Sequence, residues 1–372
     1  VQTSSEEAAR DLSVDIIIGN DKKHELVELI ENCMNQKKNA NEETEGVDDW
    51  KENICDINEK GRAYEALSIS RTEEHTRAFL KVQDGCNQFC SYCIIPYARG
   101  RIRYRAMEEI LKEVRELTAN GYQEIVLTGI HLSSYGMEKG NDFTKSRLGE
   151  LIRAVNAVEG VRRIRLGSLE PRIITEEFAK ELSQCEKLCP HFHLSLQSGC
   201  DSVLQRMNRK YTTGEYYEKV EILRKFFDKP AITTDVIVGF PQETEEEFMQ
   251  TVEFLKKIRF YETHIFKYSK RKGTPAAIMQ GQIPEEVKSV RSDRLSELHT
   301  QNSHAFRESY IGKQVEYLLE EEMVIDGVRY QTGYTREYIR IALKTQEDLS
   351  GTIQKGVIRE FLKPDILLVF SS

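Results

Sequence analysis

The stretch AFLKVQDGCNQFCSYCIIPYARGRIRYR, residues 78–105, opens with a strand-like run, Ala78 to Gln83, and runs on into three cysteines. Cys86, Cys90 and Cys93 have a C-x3-C-x2-C spacing. Three thiolates this close can hold three irons of a four-iron cube, whose full protein ligation takes four Cys. A three-Cys loop therefore implies one open iron, and an open coordination position is where chemistry happens. The competing reading is a zinc knuckle or three buried thiols. Structural zinc takes four ligands, in C-x2-4-C pairs with a distant second pair, and the sequence has no fitting second pair. Spacing favours the iron–sulfur site. Arg99 and Gly100, just past the third thiol, suit a loop that faces a cofactor.

Outward from this loop, residues 71–311 alternate strand and helix patterns. Strands are expected at AFLKVQ, EIVLTG, RIRLGS, HFHLSL, AITTDVIVG and HIFKYS. Between them, MEEILKEVRELTANG and EEEFMQTVEFLKKI carry apolar residues at helical spacing. Repeated βα units of this length imply a parallel sheet with right-handed crossovers. Six units predict an α/β fold, a partial TIM-like (β/α)6 barrel, with function at the C-terminal strand ends.

Residues 1–33 read as helix, strand and helix, with Ser4 or Ser5 and then Asp21 as caps and SVDIIIG as the strand. Residues 34–70 are polar, acidic and Asn-rich, as in a linker, and contain Trp50, the sole tryptophan. A charged helix from Glu285 to Tyr310 leads into residues 312–372, where short strand-like runs alternate with turns as in a small β-barrel.

Composition narrows the class. Hydrophobic residues make up 39% and charged residues 31%, which fits a globular chain and excludes a disordered one. Runs such as DIIIG and DILLVF fall short of the ~18–20 apolar residues of a membrane span. No membrane association and no signal segment are expected. Eight Cys in a chain this long do not form a secreted disulfide framework, so a reducing cytoplasm is expected. A net charge of −8 argues against a simple polyanion binder, yet local basic clusters count for more. These are Arg99, Arg101, Arg103 and Arg105; Arg162, Arg163 and Arg165; Arg209 and Lys210; and Lys267, Lys270, Arg271 and Lys272. About half are expected to be solvated faces. A monomer is expected, although nothing in the sequence sets the oligomeric state.

The longer motifs carry a resemblance. CNQFCSYCIIPYARGRIRYR, EIVLTGIHLSSYG, RIRLGSLEP, HFHLSLQSGCDSVLQRMNRKYT, TTDVIVGFPQETEEEF and HIFKYSKRKGTPAA follow the order found in radical S-adenosylmethionine (SAM) methylthiotransferases. The TGIH and SLEP variants most resemble the branch acting on threonylcarbamoyladenosine in tRNA, next to the anticodon. The resemblance covers nearly the whole chain. It implies that Cys86, Cys90 and Cys93 ligate one [4Fe-4S] cluster, that SAM chelates the open iron, and that an external one-electron reductant feeds the cluster. It places Tyr92 against the adenine, with Val238 and Gly239 on the ring's other side. Thr128 and Gly129 would meet the SAM amino group, Ser168 and Glu170 the ribose, and Gln197 would face the same site. Arg99, Arg209, Arg271, Tyr334 and Arg336 are candidate tRNA contacts.

By the same resemblance, residues 1–33 are the remnant of an N-terminal α/β domain and 312–372 a TRAM-like RNA-binding domain. Composition supports the latter weakly: Lys313–Ser372 holds eight Lys and Arg against ten Asp and Glu. Tyr330, Tyr334, Arg336 and Tyr338 could stack on bases or simply be strand residues. Family members hold a second cluster on three N-terminal cysteines that have no counterpart here; Cys33 and Cys55 do not match that motif. The expectation is a fragment limited to SAM cleavage, with one cluster. Two alternatives remain open: a ribosomal protein side chain as substrate, or a non-catalytic, zinc-stabilised RNA-binding protein. Cys185 and Cys189, spaced as if on one helix face, are expected to pack rather than bind metal. His131, His193 and His264 fall near strand ends and default to hydrogen-bonded core histidines.

Overall fold

The computed structural model describes residue 3, residue 14, and residues 16–20, 22–39, 57, 64–65, 76–138 and 142–371. Helix α1 (Leu26–Asn39) precedes the main body. The body then runs β1 (Arg77–Asp84), α2 (Ile95–Ala98), β2 (Arg103–Tyr104), α3 (Met107–Ala119), β3 (Glu124–Gly129), α4 (Leu148–Asn156), β4 (Arg163–Leu166), α5 (Glu176–Ser183) and β5 (His191–His193). It continues with α6 (Asp201–Arg206), α7 (Thr213–Phe226), β6 (Ala231–Val238), α8 (Glu245–Ile258), β7 (Glu262–Lys267), α9 (Pro275–Ile278) and α10 (Glu285–Glu308).

Six parallel strands form the wall. β1, β3 and β4 pair in parallel, as do β5, β6 and β7. Parallel bridges Ile164–Leu188 and Leu169–Leu194 join the two sheets between β4 and β5. The result is the partial barrel expected from the alternating pattern, with β2 added antiparallel at the β1 edge. The helices cover the outside because each buries one apolar stripe. In α3, Ile110, Val114 and Leu117 recur at helical spacing and are buried. In α8 the buried stripe is Phe248, Val252, Leu255 and Ile258, and a capping box between Thr244 and Glu247 sets its start. Strand alternation sends Phe192, Ile232 and Val236 into this outer core. By the same alternation His193, Asp235 and His264 face the lumen.

Beyond α10, strands β8 (Gln314–Ile325), β9 (Val328–Thr335), β10 (Arg340–Leu343), β11 (Ile353–Lys363) and β12 (Ile366–Ser371) close a barrel in the order β10-β12-β11-β8-β9. It docks on the N-terminal ends of the body's strands. Ala231, Tyr261 and Tyr310 share an apolar cluster with Tyr317, Ile339, Ile341 and Leu367. Around this seal, Arg77 pairs with Glu320 at 2.6 Å, and Arg163 donates to the Tyr334 carbonyl at 3.1 Å. Arg336 donates to the carbonyls of Glu186 (2.5 Å) and Leu188 (2.7 Å). The Tyr338 ring stacks on Tyr334 (4.5 Å) and His191 (5.1 Å), beneath the Arg165 guanidinium.

Several expectations change. Residues 16–19 of the expected N-terminal strand carry no strand, because no described segment pairs with them. Ile17 is instead buried, and Asn20 donates to the Ala98 carbonyl at 2.6 Å, beside the cysteine loop. Ser4, Ser5, Asp21, Trp50, Cys55 and most of residues 34–70 lie outside the described residues. Of the basic clusters, Arg101, Arg162, Lys210, Lys267, Lys270, Arg271 and Lys272 are exposed, the half expected to be solvated, whereas Arg103, Arg105, Arg163 and Arg165 are buried. Arg105 pairs with Glu113 at 2.7 Å, and Arg165 with Glu124 at 2.7 Å. Among the described residues, no helix is long and apolar enough to cross a membrane.

Glu124 is buried; burial alone would raise its carboxyl, but Arg165 and Arg163 outweigh that and hold it below the usual range. Arg165→Ala leaves this charge poorly paired and should cost on the order of 3–5 kcal/mol in urea unfolding. The exposed Arg162→Ala should stay within about 0.5 kcal/mol.

Candidate active site

The cysteine loop leaves β1 through Gly85, whose φ of +72° and lack of Cβ let it pass the Arg101 carbonyl. The Cys86 N–H donates to the Gly100 carbonyl at 3.1 Å and closes the base of the loop. Gln83, fully buried, braces it. Its Nε2 donates to the carbonyls of Asp84 and Gly85, each at 2.7 Å, and its Oε1 accepts from the His131 N–H at 2.7 Å. This is why β3 must end in Gly129: a Cβ there would press on the Gln83 side chain at 2.9 Å. Further along, Phe89 turns the chain at a φ of 51°, and its carbonyl accepts from Asn208 Nδ2 at 2.8 Å. The Ser91 N–H donates to the Met207 carbonyl (3.0 Å), and the Ser91 carbonyl accepts from the Ala276 N–H (2.8 Å). Segments following β5 and β7 thus hold the loop from the far side.

All three sulfurs receive donors, Cys93 from the Ile95 backbone. The Gln88 N–H points at Cys86 Sγ (3.4 Å), and Arg209 Nη1 at Cys90 Sγ (3.3 Å). Burial pushes the Cys86 thiol up to about 12 and raises Cys93 as well. Metal binding takes thiolates, so a bound cationic core would supply the compensating charge that this burial denies them. Three thiols, with N–H donors aimed at them, fit a [4Fe-4S] cluster, whose potential responds to such hydrogen bonds and to exposure.

Arg209 is the hub of the site. Its Nη2 donates to Glu170 Oε2 at 3.0 Å and to the Ser195 carbonyl at 3.3 Å, and its Nε donates to Tyr211 at 2.9 Å. Arg172 joins Glu170 Oε1 (2.8 Å) to the Gln88 side chain (2.9 Å). Burial would raise Glu170, but Arg209, His131 and Arg172 together hold it at about 2. Both its oxygens are thus engaged by guanidinium groups.

The other candidates divide into two groups. Tyr92, Gln197 and Arg271 line one concavity of roughly 230 Å³ at the mouth of the lumen, together with Asp235, Ile237 and Phe266, which the sequence did not single out. Tyr92 meets Phe240 edge-on at 6.5 Å, so the loop and the DVIVGFP turn do form one wall. Gln197, at a φ of 72°, exchanges backbone hydrogen bonds with β6 through Asp235 and Ile237. The Val238 carbonyl accepts from the Tyr268 N–H at 2.9 Å, and the Gly239 N–H donates to Glu243 at 2.6 Å. Thr128 and Gly129 end β3 half-buried, Ser168 is exposed, and Arg99 lies 4.0 Å from Asp84.

Tyr334 and Arg336 are not part of this site: they sit at the opposite end of the barrel, in the docking contacts described above. Cys185 and Cys189 fall beyond the end of α5, not on a helix face, and are buried. Sequence reasoning missed Gln83, Gln88, Arg172 and Asn208. Gln83 and Gln88 adjoin the first cysteine, which was a usable signal, whereas Arg172 and Asn208 reach the site only through the barrel's closure.

Comparison with known proteins agrees with this geometry. Residues 80–255 match the model of the Radical SAM superfamily. The chain is 41% identical over 355 residues to the threonylcarbamoyladenosine tRNA methylthiotransferase MtaB of Bacillus subtilis, covering 95% of this chain and 75% of that protein. It is 38% identical over 338 residues to the enzyme of the same name from Thermotoga maritima, covering 90% and 72%. With the tRNA-2-methylthio-N(6)-dimethylallyladenosine synthase of Acetivibrio thermocellus it shares 41% over 307 residues, covering 82% and 60%. A cluster loop at the mouth of a partial barrel, together with identity across nearly the whole chain, leads to one conclusion: the chain belongs to the radical SAM methylthiotransferase family.

Proposed function

We propose that this chain is a tRNA methylthiotransferase that places a methylthio group on C2 of N6-threonylcarbamoyladenosine, next to the anticodon. The observation that carries the reading is 41% identity across 95% of the chain with a relative named for that activity. When bound, a cluster with an open iron supplies the electron that cleaves SAM and so permits abstraction of an unactivated hydrogen.

The residues have separable tasks. Cys86, Cys90 and Cys93 hold the cluster, and Arg209 orients Cys90 while its charge is balanced by Glu170. Tyr92 and Phe240 exclude water from one side of the SAM position, and Gln197 and Asp235 present polar groups from the lumen wall. Thr128, Ser168 and Gly239 are proposed as further SAM contacts. Arg271, exposed at the rim, is proposed to meet the tRNA backbone. Tyr334 and Arg336 are better read as fastening the C-terminal barrel, since the Arg77 guanidinium of the body lies over the Tyr334 ring and Arg336 Nη2 donates to two body carbonyls. Within these 372 residues the cysteines for one cluster are present, and reductive SAM cleavage driven by an external one-electron donor is the step they support.

Anaerobic reconstitution should give roughly four irons per chain, one cube; roughly eight would overturn the single-cluster reading. Cys90→Ala should form no 5′-deoxyadenosine while keeping the wild-type circular dichroism. Arg209→Gln removes a charged donor from Cys90 Sγ and should shift the cluster potential to more negative values in a redox titration followed by electron paramagnetic resonance. For the substrate, the enzyme should methylthiolate tRNA bearing threonylcarbamoyladenosine, read by nucleoside mass spectrometry. Preferential labelling of dimethylallyladenosine tRNA or of a ribosomal protein would refute the assignment.

A further inference from the structure

On the lumen wall, three adjacent parallel strands each contribute one metal-ligating side chain: His193 from β5, Asp235 from β6 and His264 from β7. Their ligand atoms lie within 4.8 Å of one another, and among the described residues this is the group compact enough for a single ion. His193 Nε2 stands 3.2 Å from Asp235 Oδ2. Yet that nitrogen is shielded from water and has no hydrogen-bond partner. The approach is therefore not explained by an N–H···O bond, and a buried nitrogen left in this state costs free energy. The other nitrogen, Nδ1, is 3.0 Å from the Thr233 hydroxyl. Metal-binding histidines are oriented in this way, with the second nitrogen held by a neighbour while the first faces the ion. The rings of His193 and His264 stack at 5.6 Å with 26° between their planes, which sets the third ligand beside the other two.

The His193–Asp235 spacing is that of two ligands sharing one ion, and His264 lies within 4.8 Å of both. Two donors at about 2.1 Å from a metal, subtending about 90–110°, stand about 3.0–3.4 Å apart. A cation between Nε2 and Oδ2 would satisfy both the orphaned nitrogen and the carboxylate. Two imidazoles and one carboxylate suit a divalent first-row transition metal and leave coordination positions open toward the lumen. We propose that His193, Asp235 and His264 bind one such ion, at a site separate from the cysteine loop. The open positions would take an oxygen or nitrogen donor that enters the lumen.

The test uses the full chain with its cluster reconstituted and zinc as the probe, so that zinc and iron are counted separately by elemental analysis. Equilibrium dialysis should give one zinc per chain, with at least about tenfold weaker retention in His264→Ala and Asp235→Asn and unchanged iron content. His264 is exposed, so its replacement does not threaten the core. Zinc-edge X-ray absorption on the unaltered protein gives an answer that depends on no variant. A shell of nitrogen and oxygen at about 2.0–2.2 Å supports the site, and a sulfur shell at about 2.3 Å overturns it. Failure of the unaltered chain to take up zinc, or equal retention by both variants, overturns it as well.

Discussion

The buried guanidinium of Arg209 is the constraint on which the site depends. It reaches the sulfur of Cys90, the carboxylate of Glu170 and the carbonyl of Ser195, so it ties the loop after β1 to the segments after β4 and β5. A charge in that position is tolerable only because Glu170 remains ionised beside it, and Glu170 remains ionised because Arg209, Arg172 and His131 surround it. The loop, the carboxylate and the guanidinium are therefore one unit. Removing any one of them leaves the others with unpaired polar groups in a dry place.

The two ends of the body do different work. At the C-terminal strand ends, positive-φ turns at Gly85, Phe89 and Gln197 bend the backbone around the cysteines and the lumen mouth. At the N-terminal ends, a layer of buried ion pairs centred on Glu124 and Arg165 meets the C-terminal barrel, and Tyr338 fills the gap between Arg165 and His191. The polar residues at that seam are used up in domain docking. Basic and aromatic residues there signal a fastened joint rather than an exposed RNA surface.

Between these ends, the lumen carries a ladder of histidines: His191 at the sealed bottom, then His193 beside His264 nearer the mouth. Burial lowers His191 well below the usual histidine range, and Arg165 nearby adds to the effect. It is a neutral packing group, as expected for a core histidine. His193 differs from it only by facing Asp235 and His264, which the two-residue alternation along β5 could not reveal.

The sequence by itself determined the cluster loop, the six βα units and the small C-terminal barrel. Those readings rest on local signals: cysteine spacing, apolar periodicity and turn residues within a few positions of one another. It also placed Tyr92, Gln197 and the DVIVGFP turn around one site, because motifs at strand ends converge wherever parallel strands do. Tertiary structure alone decided which charges pair. Arg163 and Arg165 lie in a run that reads as a basic patch, yet both are buried against Glu124, about forty residues earlier. Arg336 sits in a run that reads as an RNA contact, yet its Nη2 donates to carbonyls some 150 residues away. Long-range pairing of charges depends on which surfaces meet, and that information is not contained in any local window of the chain.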